Sequence, residues 1–339
     1  MPVLLPKNRT YIIAEIGPNH DGKAEKARRL IDKAKDAGVD AVKFQLFVLD
    51  EIVSAQTPLA EYQKRSGEES QYNMLKRLLL SHDAIRELKT YAEQKGLDFL
   101  ATPFDITSAE FLASLGVKMM KIPSGEITNI PFLGKVAALG IFSIISTGMS
   151  TLEEIEEAVS CFKKAKTPYA LLHCVSAYPA PVGQVNLLAM KTMEETFHVP
   201  IGYSDHTEGV AVPIAAVALG AQIIEKHFTM NKDDPGPDHA ASLEPDELRS
   251  MVQGIRAVEL ARGTGEKKCQ PCEKDTRDTA RRSILLTKDV KKGEKLTQDM
   301  LVMKRPGTGL PPKAFAETVG KTINQDMSAG SVLTREMLL

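Results

Sequence analysis

Ile201-Gly-Tyr-Ser-Asp-His206-Thr207, then an alanine-rich segment, then Ile223-Ile-Glu-Lys-His227-Phe-Thr229 is the stretch around which the chain is organised. Two short apolar runs each end in a histidine, and residues 209–220 between them have the composition of one buried helix. If both runs are parallel strands joined by that helix, His206 and His227 project from the same edge of neighbouring strands. Imidazoles so placed can share one divalent metal. The other reading is a hydrogen-bonded histidine at each strand end.

Outward from this stretch the same alternation repeats. Strand-like runs occupy 11–16, 41–44, 98–102, 119–123, 142–146, 169–174, 200–203 and 222–226, and a helical pattern follows each, including 23–37 and 71–95. Most runs are continuously apolar, as parallel strands covered on both faces require. Eight such units over about 260 residues match a (β/α)8 TIM barrel. No G-x-G-x-x-G follows the first run, which weakens the competing doubly wound sheet. Periodicity fades after Arg262, and the pattern past Arg281 is one of short strands and turns. The expected organisation is a barrel over 1–262, a polar linker over 263–280 and a small mostly-β domain over 281–339. That last part holds 11 Lys+Arg against 6 Asp+Glu, net +5, which leaves net −6 before it. Such a bias is a solvated surface, a dock for an acidic barrel mouth, or a source of arginine for an anionic ligand.

With 339 residues, 43% hydrophobic and 26% charged, the composition is that of an ordinary globular protein. A net charge of −1 offers no global attraction for nucleic acid or an acidic membrane surface. Residues 1–7 are too short and too broken by proline for a leader, and the apolar stretch 210–224 is interrupted by Pro213, Gly220 and Gln222. A soluble cytoplasmic protein is expected. Cys269 and Cys272 form a C-x-x-C without the second pair a zinc ribbon needs, and they lie in the polar linker rather than at a strand–helix junction. They read as solvent-facing thiols.

Barrel chemistry sits at the C-terminal ends of the strands. Those positions hold Glu15, Asn19 and His20; Lys43 and Gln45; Thr102 and Phe104; Lys121, Ser124 and Glu126; Ser146 and Thr147; Ser176 and Tyr178; Ser204 and His206; and His227. Lysine is rarely buried unless paired, yet Lys43 and Lys121 each interrupt an apolar run. One reading is a structural ion pair with Glu15 or Glu126. The other is a cage of two lysines and several hydroxyls for a small phosphorylated anion. No G-x-x-x-x-G-K-[ST] loop is present, so a nucleoside triphosphate is not indicated. The residues point to a metal-assisted enzyme acting on a small phosphate and a polyol or sugar.

These stretches carry a resemblance. Ile12-Ile-Ala-Glu15-Ile-Gly-Pro-Asn-His20-Asp-Gly22, Ala41-Val-Lys43-Phe-Gln45, Ala101-Thr-Pro-Phe104-Asp105, Lys121-Ile-Pro-Ser124-Gly-Glu126, Ser146-Thr-Gly-Met149, Leu171-Leu-His-Cys174 and Tyr178-Pro-Ala-Pro181 are followed by the two histidine motifs and Gly236-Pro-Asp238-His239. In this order they resemble the N-acylneuraminate (sialic acid) synthase family. Lys304-Arg305-Pro-Gly-Thr-Gly309 resembles the signature of that family's C-terminal antifreeze-like (SAF) domain. The resemblance implies condensation of phosphoenolpyruvate with an N-acylated amino sugar. It further implies a divalent metal on His206 and His227, usually Mn2+, with Mg2+ or Co2+ as substitutes. Lys43, Thr102, Lys121, Ser124, Ser146 and Ser204 match positions that hold phosphoenolpyruvate. Gln45, Phe104, Glu126, Tyr178 and Asp238 match sugar contacts, and Glu15 matches the carboxylate near the reacting carbons. Arg305 matches an arginine that enters the neighbouring subunit's site, which implies a domain-swapped homodimer. Ser176 departs from the asparagine or threonine often found near there. N-acetylneuraminate, from N-acetylmannosamine, is the expected product. The alternative is legionaminate or pseudaminate from a 2,4-diacetamido-2,4,6-trideoxy-hexose. A synthase for a phosphorylated aldose and a carbohydrate-binding protein are the other classes weighed.

Overall fold

A computed structural model describes residues 5, 6 and 9–339, apart from the side chains of Tyr62 and Arg65. The leader reading of residues 1–7 lies outside that set, except at Leu5 and Pro6. Two compact units emerge, Met1–Gly263 and Thr264–Leu339.

In the first unit, parallel strands form one sheet: β1 Tyr11–Glu15, β2 Ala41–Leu46, β3 Asp98–Pro103, β4 Met119–Ile122, β5 Phe142–Ser146, β6 Tyr169–Cys174, β7 Ile201–Asp205 and β8 Ile223–His227. Their order is β3-β2-β1-β8-β7-β6-β5-β4, and the two ends of that order, β3 and β4, lie in contact. The sheet is therefore a (β/α)8 barrel with β8 returned beside β1, where Glu15 is in register with His227. Helices cover the outside. Ala24–Ala37 buries Ala27, Leu30, Ile31 and Ala34 at helical spacing and stops at Gly38, whose φ of 88° suits glycine. Leu152–Ala165 begins with a capping box between Thr151 and Glu154. Among the described residues, no helix is long and apolar enough to cross a membrane.

The inward face of the barrel follows the two-residue period of a strand. Deep in the barrel it is apolar: Tyr11 and Ile13, Ala41, Leu100, Met119, Phe142 and Ile144, Ala170 and Leu172, and Ile223 pack as one cluster. Two residues further along each strand it turns polar, to Glu15, Lys43, Thr102, Lys121, Ser146, Cys174 and Glu225. A lower apolar tier thus supports an upper polar one.

Several boundaries differ from the sequence reading. β7 runs on to Asp205 and β8 to His227, because strand ladders continue through polar inward residues that end an apolar run. The helical region 71–95 divides into Gln71–Leu78 and His82–Gln94, the second capped by the Ser81 side chain. The helix between the histidine strands is Ala211–Ala218; Pro213, Ala216 and Val217 are its buried residues, so it is covered along one side only.

The second unit holds an antiparallel pair, β9 Ser283–Leu286 and β10 Leu301–Lys304. Ile284, Leu286, Val290, Leu296, Ile323 and Leu333 form its core. Within the segment read as linker, Lys274–Ala280 is helical. All its residues are exposed, so it carries no apolar period to reveal it.

Candidate active site

The upper tier opens into a cavity of about 720 Å³, lined by residues of the first unit. That size suits a small-molecule site. Its floor is a charge network. Glu15, Lys43, Lys121 and Glu225 are each at most 4% exposed. The Lys43 ammonium contacts the Glu15 carboxylate and donates to Thr102 Oγ1 at 3.0 Å. Glu225 Oε1 lies 3.8 Å from Lys43 Nζ and 3.4 Å from Lys121 Nζ, and it accepts from Ser204 Oγ at 3.1 Å. The two buried ammoniums thus sit against two buried carboxyls, of which Glu225, close to both, supplies the negative charge that their burial demands.

The two carboxyls are unequal. Burial pushes Glu15 up to about 8 against the pull of Lys43. Glu225, despite its own burial, is held below the usual carboxylate range by Lys121 and Lys43. Burial lowers the Lys121 ammonium, partly offset by Glu225. Neighbouring titratable groups driven apart in this way suit acid–base work.

Hydroxyls line the cavity beside the lysines. Ser146 Oγ is buried without a hydrogen-bond partner. Ser124 Oγ accepts from the Gly148 amide at 2.9 Å and lies 3.1 Å from Cys174 Sγ. A Cβ at Gly148 would stand 2.3 Å from Ser176 Oγ, so only glycine lets the backbone approach this corner. Ser176 joins the lining, whereas the Thr147 hydroxyl is turned away to the Leu172 carbonyl at 2.9 Å.

Across the cavity the histidine rings stand 5.3 Å apart, with the Tyr178 ring 4.1 Å from His206 and 5.6 Å from His227. His206 Nδ1 is 2.7 Å from the Val175 carbonyl, which fixes that nitrogen as donor and leaves Nε2 with a lone pair. His227 Nδ1 is buried with no hydrogen-bond partner and lies 3.3 Å from Asp238 Oδ2. Burial takes His206 down to about 4, and burial with the neighbouring His206 takes His227 well below the ordinary imidazole value. Burial raises Asp238 to about 7. Two neutral imidazoles and an unpartnered nitrogen fit a divalent ion.

Asp238 is held in place by a latch between loops. Asn19 Nδ2 donates to the Phe228 carbonyl at 2.9 Å and to Ser242 Oγ at 2.8 Å, and Ser242 Oγ donates to the Asp238 carbonyl at 2.7 Å. Lys26 Nζ bridges Asp21 at 2.6 Å and Asp234 at 2.7 Å, while His239 spans Thr229 at 2.7 Å and Asp21 at 3.3 Å. Asp21, Asp234 and His239 bring ligand atoms within 4.8 Å of one another. The Lys26 ammonium lies between those two carboxylates and balances their charge, so the cluster clamps the two loops together.

Most of the sequence candidates converge on this one cavity. Gln45, Phe104, Ser124, Glu126, Ser176, Tyr178 and Asp238 line it with the lysines and histidines. Gln45 Nε2 donates to the Gly17 carbonyl at 3.1 Å, and Glu126 accepts from Asn129 at 2.6 Å. Arg305 lies in the second unit, where it is exposed. Glu225 and the latch residues Lys26 and Asp234 were not among the candidates. A larger open cleft, about 1000 Å³, lies in the second unit beside the exposed Lys274, Arg277, Arg281 and Arg282. It lacks the buried acid–base groups of the barrel.

The NeuB family profile matches residues 30–267, and the SAF domain profile matches 281–339. The chain belongs to the NeuB family. It is 46% identical to an N,N'-diacetyllegionaminic acid synthase of Legionella pneumophila, over 96% of this chain and 94% of that one. Human N-acetylneuraminate-9-phosphate synthase is 37% identical, over 97% and 92%. The crystal structure of an N-acetylneuraminic acid (sialic acid) synthetase from Leptospira borgpetersenii superposes with a TM-score of 0.72 at 38% identity, covering 79% of this NeuB-family chain and 90% of that one.

Proposed function

We propose that this NeuB-family chain condenses phosphoenolpyruvate with an open-chain N-acylated aldose and water, releasing phosphate and a nonulosonic acid. The observation that carries the reading is the pairing, in one cavity, of two buried lysines with two neutral histidines. Lys43, Thr102, Lys121, Ser124, Ser146 and Ser204 hold the carboxylate and phosphate, where fixed cations in a dry site are most effective. A divalent ion bound by His206 and His227, proposed as Mn2+ with Mg2+ or Co2+ as substitutes, supplies Lewis-acid polarisation of the aldehyde. Carbon 3 of phosphoenolpyruvate uses its π electrons to form the bond to the aldehyde carbon, and positive charge develops at carbon 2. Glu15, protonated into mildly alkaline solution, gives its proton to the forming alkoxide. Water adds at carbon 2 and returns a proton to Glu15, and the bond from carbon 2 to the phosphate oxygen then breaks with its electron pair leaving on phosphate, which takes up the remaining hydroxyl proton as the ketone forms. Gln45, Phe104, Glu126, Tyr178 and Asp238 orient the sugar. Arg305 from a second copy completes the site in a cytoplasmic, domain-swapped homodimer.

For the aldose we propose a 2,4-diacetamido-2,4,6-trideoxy-hexose, with N,N'-diacetyllegionaminate as product. This places legionaminate ahead of N-acetylneuraminate, the product first expected. Two findings support the order. Identity is higher to the legionaminic acid synthase than to the two sialic acid relatives, and Phe47, Ile52, Met74, Leu75 and Leu78 add apolar side chains to the cavity lining. Among the described residues lining the cavity, Lys43 and Lys121 are the only lysines or arginines, which argues against a second phosphate on the sugar. The test is phosphate release from phosphoenolpyruvate with Mn2+ and three aldoses: N-acetylmannosamine, its 6-phosphate and the trideoxy sugar. The trideoxy sugar is expected to give the highest kcat/KM. No release with any of them would end the reading, and preference for the 6-phosphate would replace it with a sugar-phosphate synthase.

A further inference from the structure

The cavity has two chemically distinct sides. Strand ends of the barrel supply the polar side. A further part of the lining comes from the chain between β2 and the helix His82–Gln94, where Phe47, Ile52, Ala60, Met74, Leu75 and Leu78 reach the cavity. Met74 and Leu78 are one helical turn apart on Gln71–Leu78 and are 2% and 4% exposed, so their side chains form a fixed surface. Phe47 stacks edge-on against Phe104 at 6.1 Å, which extends the hydrocarbon toward β3. The wall also contains two amides, but they are engaged locally. Gln63 Oε1 accepts from the Ala60 amide at 2.9 Å and from Gln71 Nε2 at 3.1 Å. What this wall offers a ligand is chiefly apolar contact.

The histidines that face the aldehyde stand on β7 and β8, and β1 separates them from β2, which launches the wall. An open-chain aldose with its first carbon at the histidines points its far end away from them. Resting on the condensation reading, we propose that Met74, Leu75 and Leu78 form a specificity subsite for a methyl-terminated, 6-deoxy aldose. A primary hydroxyl placed there loses water and regains no partner, which costs affinity. An apolar pocket of this kind separates substrates differing by one methyl or hydroxyl by roughly ten- to two-hundred-fold.

The experiment compares N-acetylmannosamine with 2-acetamido-2,6-dideoxymannose, which differ only at carbon 6, in wild-type enzyme and in Met74→Gln, Leu75→Gln and Met74→Leu. Wild type is expected to favour the 6-deoxy sugar in kcat/KM by about ten-fold or more. Each glutamine variant is expected to bring that ratio below about three-fold with the KM for phosphoenolpyruvate within about two-fold, while Met74→Leu keeps the preference. The ratio is measured within one preparation, so a partly unfolded variant still reports it. A wild-type ratio near one, or a ratio retained in both glutamine variants, overturns the subsite. Release with the trideoxy sugar but not with the 6-deoxy sugar also overturns the subsite, whereas release with neither of these sugars nor the trideoxy sugar removes the condensation reading itself, and the subsite with it.

Discussion

Glu225 supplies negative charge to two buried ammoniums, and its neighbours show what its loss would do. In Glu225→Gln, Lys43 would keep Glu15 but Lys121 would lose its nearby carboxylate. Removing one partner of a buried pair typically costs about 3–5 kcal/mol, so the variant is expected to unfold at clearly lower urea concentration than wild type. Because phosphoenolpyruvate would replace the missing charge, it should raise the Tm of Glu225→Gln by more than that of wild type. Equal shifts in thermal-melt measurements would count against the lysines as its anchor. His227→Ala removes an imidazole rather than a charge, and it is expected to stay folded while losing Mn2+ affinity by at least about ten-fold in titration calorimetry. Undiminished affinity would return His227 to the reading of a strand-end histidine. Glu15, the lysines and both histidines were legible because each stands at or near the end of an apolar run. Glu225 was not, for it lies inside β8, where only the two-residue step from Ile223 and toward His227 marks it as inward.

At the scale of elements, the latch joins the loop after β1 to the loop after β8. Lys26→Met is expected to raise the KM for the aldose by about five- to ten-fold while leaving that for phosphoenolpyruvate within two-fold, since Asp238 lies on the latched loop and the lysines do not. A matching rise in both constants would mean a general loss of structure instead. Although its partial burial works the other way, hydrogen bonds from His239 and Lys26 hold the Asp21 carboxyl down at about 2. A depressed carboxyl contributes stability above its unfolded value and loses it as pH falls toward its folded one. The stability difference between wild type and Asp21→Asn is therefore expected to stay constant from about pH 8 to pH 5 and to narrow only below about pH 4. Urea denaturation across that range checks it. All eight strands were legible, because parallel strands buried on both sides read as plain apolar runs. The latch was not: Lys26 and Asp234 are 208 positions apart, and nothing local announces their meeting. The helix Lys274–Ala280 escaped for the opposite reason, having no buried side to give it a period.

At the scale of the molecule, Arg305 is exposed in the second unit, and the proposed homodimer assigns it to a neighbouring barrel. Mixing two impaired proteins tests this. Arg305→Ala and Lys121→Met, unfolded and refolded together, would form heterodimers with one intact site if the arginine is exchanged, and none if each chain serves itself. Recovery of about a quarter of wild-type phosphate release is expected from random pairing. Activity no greater than the sum of the two separate proteins would exclude the exchange.

The two tiers inside the barrel also bear on how such a protein diverges. The lower tier, from Tyr11 round to Ile223, is a packed apolar cluster, while the upper one begins two residues later and supplies Lys43, Thr102, Lys121, Ser146, Cys174 and Glu225 to the cavity lining. A replacement below is expected to register as altered folding yield with substrate preference unchanged, whereas one above, outside the buried charge network of Glu15, Lys43, Lys121 and Glu225, is expected to register as altered preference at nearly constant yield. Lineages can therefore exchange one sugar for another by drift in the upper tier and its flanking wall while the lower tier keeps the barrel closed. In a saturation library sorted separately for abundance and for turnover, the two phenotypes should fall on alternate layers of the same strands.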